Sequence, residues 1–212
     1  MRVIVKRNEP TALAQHRSTP HSNYNNLLLS QKDAIRVALA TEQRGLCCYC
    51  LSRIRARAAE MKIEHWHSQA HYPAEQLDYS NMLGACMGNE TQPRIDQHCD
   101  TYKGDKNLSR NPAAPSHSVE DFIHYESTGR ISSPDRAFDT ELNLVLNLNV
   151  AFLINNRKAA LVAFQQTLRK RGEIPQATWE RWLRDWNGES NASDLRPFCN
   201  VIVYWIRKHL RR

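Results

Sequence analysis

Five of the six cysteines in this chain fall within residues 47–99, and their spacing is that of a metal site. Cys47-Cys48-Tyr49-Cys50 contains a C-x-x-C pair. Cys86 and Cys99 follow, and Cys199 is remote. Two thiolates at C-x-x-C spacing on a tight turn grip one zinc ion from one side, and a second pair closes the tetrahedron. Cys86 and Cys99 supply that second pair, with Gly88, Asn89 and Pro93 suited to the loop between them. Cys48 and His98 stand one position away as rival ligands. Cys47 and Cys50 are preferred because they have the knuckle spacing. No βαβ pattern surrounds the pair, which argues against a dithiol oxidoreductase. A zinc held by four thiolates supplies on the order of 10 kcal/mol of apparent folding energy.

Within this cysteine frame lie Met61-Lys-Ile-Glu-His-Trp-His67 and Leu77-Asp-Tyr-Ser-Asn-Met-Leu-Gly-Ala-Cys86, then His98-Cys-Asp-Thr-Tyr-Lys-Gly-Asp-Lys106. The order resembles the HNH endonucleases, which have a ββα-metal fold. That resemblance implies a first strand ending at Glu64-His65, a second strand after Asn81, and a helix opening at Cys99-Asp100 and running past Lys103. It also implies roles. His65 is the general base, since a neutral imidazole can take a proton from water near pH 7. Glu64 and Asp100 hold Mg²⁺ or another divalent cation, a hard ion that takes one or two carboxylates and keeps its waters. Asn81 positions His65. His67 and His71 are read as bystanders. Three features depart from the common HNH pattern: Glu64 replaces Asp, Asp100 replaces His or Asn, and the loop from Cys86 to Cys99 is long.

A narrower resemblance rests on Met1-Arg-x-Ile-x-Lys with Pro10 and Leu13, Cys47-x-Tyr-Cys50, Ile63-Glu-His-Trp66, Asp78-Tyr-Ser-Asn-Met-Leu83, Lys103-Gly104 and Tyr125-Glu-Ser-Thr-Gly-Arg-Ile131. Together these resemble the PtuB branch of HNH proteins, effectors of Septu-type and retron-associated antiphage defence. The resemblance spans most of residues 1–150. It implies a toxic nuclease acting on DNA or RNA, tRNA included. It also implies a PtuA-like ATPase partner of the ABC/SMC class, joined in retron systems by a reverse transcriptase and multicopy single-stranded DNA. A zinc module that binds nucleic acid or protein without cutting is the competing reading.

These residues need a scaffold. The 212 residues are 41% apolar and 24% charged, enough for a core and too little charge for wholesale disorder. No apolar run approaches ~18 residues, and the start turns charged too soon for a signal peptide, so a cytoplasmic protein without membrane contact is expected. The fold class expected is α+β, in three parts. Residues 1–45 form an arm, with a short strand at Val3-Ile4-Val5, and a helix from Ser30 capped by Ser30 and Asp33. Residues 46–110 form the zinc-stapled HNH core. Residues 111–212 begin with a linker (110–118), then a hairpin turning near Thr128-Gly129, and end in helices suited to docking a partner. Trp179, Trp182, Leu183 and Trp186 form one helical face, read as core packing.

Charge is uneven. Residues 1–150 carry 17 basic and 17 acidic side chains, whereas residues 151–212 carry 12 and 5, which is the whole net charge of +7. Such an excess suits a polyanion partner. Arg53, Arg55 and Arg57 alternate at strand spacing and, with Lys103, are expected to contact nucleic-acid phosphates. Arg207, Lys208, Arg211 and Arg212 suit the C-terminus of a final helix.

Overall fold

A computed structural model describes residues 1–169, 171–190 and 194–211. Its elements are helices α1 (Thr11–Arg17) and α2 (Leu29–Glu42), strands β1 (Lys62–His65) and β2 (Met82–Ala85), and the short helix α3 (Cys99–Lys103). Strands β3 (His124–Tyr125) and β4 (Ile131–Ser132) follow, then helices α4 (Arg136–Thr140), α5 (Ala151–Arg169), α6 (Gln176–Asn187) and α7 (Cys199–Leu210). This is a mixed fold of helices and two small antiparallel sheets.

Helix α2 begins one residue before the expected Ser30, and its cap differs from the one expected. The Gln31 side-chain oxygen accepts from the Leu28 N–H at 2.8 Å. Asp33 pairs instead with Arg36 at 2.8 Å. Ile35 and Leu39 turn one face of α2 into the core. Gln43, just past the helix, is buried and clamps α2 to β2. Its side-chain oxygen accepts from the Gly84 N–H, and its amide donates to the Gly84 carbonyl at 2.7 Å.

Strands β1 and β2 pair antiparallel, with Glu64 opposite Leu83 and His65 opposite Met82. The Gly84 carbonyl also accepts from the Cys48 N–H at 2.9 Å, so the cysteine turn is bonded to the outer side of this sheet. The second hairpin turns at Gly129, whose φ is +90°. A Cβ there would lie 2.2 Å from the Ile154 carbonyl, so only glycine allows the turn to lie against α5. Buried Arg157 ties the two together, donating to the Gly129 carbonyl at 2.6 Å and the Leu148 carbonyl at 2.7 Å.

The tryptophan face packs inward. Trp179 is buried, and Trp182 and Trp186 are half-buried. All three meet Phe164 of α5 edge to face. Helix α7 packs on α5 and α6 through Val201, Ile202 and Ile206. Arg207 and Lys208 lie in its last turn and Arg211 caps it. Arg212, expected at the same helix end, lies outside the described residues.

Three local expectations are corrected. Val3–Val5 is extended but joins no sheet. Ile4 donates to the Pro112 carbonyl and is buried, while Val5 is exposed. Ile4 alone of the three thus fills a gap in the core, and no ladder forms. Pro10 starts the unforeseen helix α1, where its fixed φ suits a helix entrance. Residues 110–118 are no free linker, since Arg110 pairs with Asp135 at 2.8 Å and Pro112 holds Ile4. One main hydrophobic cluster draws on all three parts of the chain, from Met1 and Ile35 through Met82 to Leu142 and Ile206.

Candidate functional site

Cys47, Cys50, Cys86 and Cys99 are all buried, and their four sulfurs lie within 4.8 Å of one another. The Cys47–Cys99 sulfurs are 3.9 Å apart and the Cys50–Cys86 sulfurs 3.7 Å. Four sulfurs each about 2.3 Å from a zinc ion would be about 3.8 Å apart, so the cluster has the dimensions of a tetrahedral site. The backbone is bent to achieve this. Leu51, just after the first pair, has φ +65°, and Cys99 has φ +56°. The Ser52 N–H points at Cys50 Sγ at 3.4 Å, as expected for a sulfur that carries negative charge.

Burial opposes ionisation of both Cys47 and Cys50; hydrogen bonds from Cys48, Cys50, Cys86 and Cys99 outweigh it at Cys47, and those from Cys86 and Cys99 pull Cys50 down to about 6. The same crowding holds Cys86 and Cys99 above the ordinary thiol value. A divalent cation among the sulfurs would resolve that conflict, because it lets all four ionise. Of the two rivals, Cys48 is not in the cluster. His98 Nδ1 lies 3.2 Å from Cys99 Sγ, an outer contact to the set.

Helix α3 follows from the last cysteine, so Asp100 is carried one residue beyond Cys99. Its carboxyl reaches that of Glu64 on β1. Burial, and then the charge and hydrogen bonding of Asp100, hold the Glu64 carboxyl well above the usual carboxylate range, against the pull of Lys103. Two donors grip one Glu64 oxygen: Tyr49 Oη at 2.7 Å and Lys103 Nζ at 2.9 Å. Lys62 Nζ lies 3.9 Å from the Asp100 carboxylate, so with all four groups ionised Glu64, Asp100, Lys103 and Lys62 sum to zero. A divalent cation would turn that to two positive charges, the sign that attracts a phosphodiester.

His65 ends β1. Its Nε2 lies 3.0 Å from the Gln76 carbonyl, which can only accept. Nε2 therefore carries the proton and Nδ1 the lone pair. Nδ1 faces the Gln69 side-chain amide at 3.1 Å. Burial lowers the His65 pKa, against the opposing effects of the Gln76 carbonyl and Asp100, so the ring is neutral near pH 7. The Asn81 side chain makes its hydrogen bonds to His67 and Glu75, not to the His65 ring. It accepts from the His67 N–H at 2.8 Å and donates to the His67 carbonyl at 3.0 Å. Asn81 thus ties β2 to the loop that runs on to Gln76. His67 pairs with Glu75 at 2.7 Å.

The expected phosphate contacts divide. Lys103 is buried, and besides Glu64 it donates to the His65 carbonyl at 3.1 Å, so it serves the interior and not the surface. Arg53 sits in a single bridge to Leu46 instead of a strand, and pairs with Asp194 at 3.0 Å. Arg55 and Arg57 are exposed, and both pair with Glu60. The sequence reading missed Tyr49, Gln69 and Gln76. The position of Tyr49 between two cysteines was visible, but the direction of its hydroxyl was not.

No protein-family model matches the chain, and no curated protein matches it. Among the described residues no helix is long and apolar enough to cross a membrane.

Proposed function

We propose that this protein is a metal-dependent endonuclease of the HNH type that hydrolyses phosphodiester bonds. The observation that carries the reading is the state of His65: a neutral imidazole with its proton fixed on Nε2 by a carbonyl, and its basic Nδ1 free of any acid. A second shell of support comes from the neighbouring Glu64–Asp100 pair, set beside a four-cysteine cluster that could hold zinc.

In this reading His65 Nδ1 takes a proton from the attacking water after Gln69 yields its place. The Gln76 carbonyl keeps the ring in the correct tautomer and steadies the imidazolium that forms. Glu64 and Asp100 would hold a divalent cation, which would supply charge neutralisation for the scissile phosphate and the leaving oxygen. Tyr49 and Lys103 fix the Glu64 carboxylate, leaving its second oxygen for that ion. The four sulfurs hold the turn bearing Tyr49 and the helix bearing Asp100 in one frame.

Substrate and partner follow only from the motif resemblance: DNA or RNA (tRNA included), and a PtuA-like ATPase in an antiphage system of Septu or retron type. The test is to sequence nucleic-acid ends after induced expression of the wild type beside His65→Ala. New ends that depend on His65 support the reading and identify the polymer. Identical end profiles overturn it.

A second reading, a zinc-stabilised binding module without catalysis, is favoured by one observation. His65 is only 4% exposed and both its nitrogens have partners, as in a structural histidine. That reading predicts unchanged biological activity in any folded His65 variant.

A further inference from the structure

We infer that Tyr24, which lies outside the strand–strand–helix unit, belongs to the same site and donates its phenol to a phosphate oxygen of the substrate. The inference rests on the nuclease reading above and adds a substrate contact to it.

Four observations carry it. First, the Tyr24 ring meets the His65 imidazole at 90° with centroids 4.7 Å apart. Second, one residue holds the two in register. Gln76 accepts from the His65 ring through its carbonyl at 3.0 Å, and from the Tyr24 N–H through its side-chain oxygen at 3.0 Å. Chance packing does not need such a tie, because either contact alone would fix only one partner.

Third, the Tyr24 hydroxyl is without a hydrogen-bond partner among the described residues, although the ring is half-buried. It is absent from the fully enclosed partnerless atoms, so it reaches solvent. The hydroxyl of Tyr49, by contrast, is engaged with Glu64. Burial raises the Tyr24 pKa, and the charge of Asp100 raises it further against that of Arg36, so the group is a neutral donor at any ordinary pH. Fourth, Lys32 Nζ stands 4.8 Å over the Tyr24 ring and makes no ion pair among the described residues. Lys32 therefore stands over the Tyr24 ring, and the ring in turn stands against the base, His65.

That sequence of groups suits a phosphodiester. As water adds to phosphorus and the bond to the leaving oxygen breaks, charge builds on the non-bridging oxygens. A preorganised neutral donor stabilises that charge more than the ground state. Tyr24 neither gives up nor receives a proton in the step. The water proton goes to His65 Nδ1, and the leaving oxygen is protonated from solvent.

The test compares purified, zinc-loaded full-length wild type with Tyr24→Phe and Tyr24→Ala. Steady-state cleavage is measured on a labelled single strand, a duplex and a tRNA, with Mn²⁺ present. Tyr24→Phe keeps the ring beside His65 and removes only the donor. It should lower kcat about 10²-fold, the order found for losing one such donor, with KM within about 2-fold and the zinc content unchanged. If Tyr24 only packs against His65, Tyr24→Phe matches wild type while Tyr24→Ala fails, and the assignment is overturned with the nuclease reading intact. A wild type that cuts none of the three substrates overturns that reading and this assignment together.

Discussion

The hydroxyl of Tyr49 donates to Glu64 Oε1 across 2.7 Å, and Tyr49 sits between Cys50 and the Cys47-Cys48 pair in the cysteine turn. The turn that could hold zinc therefore also holds the acid that would hold the second metal. Asp100, next to Cys99, is linked to the same cluster from the other side. Loss of metal from the sulfurs would release both acids at once.

Tyr49→Phe removes that bond while the ring still fills its buried site. A hydrogen bond to a charged group contributes about 1.5–3 kcal/mol, and Glu64 would keep only Lys103 on that oxygen. Urea denaturation should show a loss of this size. The zinc-to-protein ratio should stay at that of wild type, and a fall in the ratio would place Tyr49 in the sulfur frame instead.

Cys86→Ser removes one ligand and should cost zinc as well as order in residues 46–106, because the metal contributes on the order of 10 kcal/mol to such folds. Cys48→Ser and Cys199→Ser should retain one zinc per chain, as neither sulfur is in the cluster. Elemental analysis of the three variants decides the ligand set. A zinc-replete Cys86→Ser protein would point to His98 as the fourth ligand.

Lys103→Met leaves Glu64 and Asp100 facing each other without a buried cation. Breaking a buried pair on one side costs about 3–5 kcal/mol. Added Mn²⁺ should then raise the melting temperature of the variant more than that of wild type, since the ion replaces the lost charge. Equal shifts in both proteins would mean that the two carboxyls hold no divalent cation.

Arg55→Gln with Arg57→Gln should weaken nucleic-acid binding evenly across sequences. If each arginine neutralises one phosphate, the slope of log affinity against log salt should fall by about 2. Arg53→Gln should leave that slope nearly unchanged, because Arg53 is bound to Asp194 and to the Gly45 carbonyl. Fluorescence anisotropy over a salt series measures both.

Much of this site is legible from residue types and spacing. The C-x-x-C pair with Cys86 and Cys99 marks the sulfur cluster, and the strand pair around Glu64-His65 and Met82 is what the HNH resemblance implies. What spacing does not reveal is where side chains turn. Lys103 reads as a surface cation because lysines usually are, yet the buried Glu64 carboxyl and the His65 carbonyl draw it in. The partner of His65 is a backbone carbonyl, that of Gln76, and any residue type offers one, so no pattern marks it. Val3–Val5 has strand composition, but a strand needs an edge to pair with, and the nearest backbone to Ile4 is the irregular segment at Pro112. The arginines at 53, 55 and 57 alternate like a strand, but only Arg53 forms a bridge.

The most direct measurement is cleavage of a labelled nucleic-acid strand by the purified, zinc-loaded chain with and without Mg²⁺ or Mn²⁺, run beside folded His65→Ala and His65→Asn. Losing a general base should lower the rate about 10²–10⁴-fold in both variants, with zinc content and circular dichroism unchanged, and wild type should need the added divalent cation. Cutting by the wild type that persists in chelator, or equally in both variants, would contradict a His65-based, metal-dependent centre.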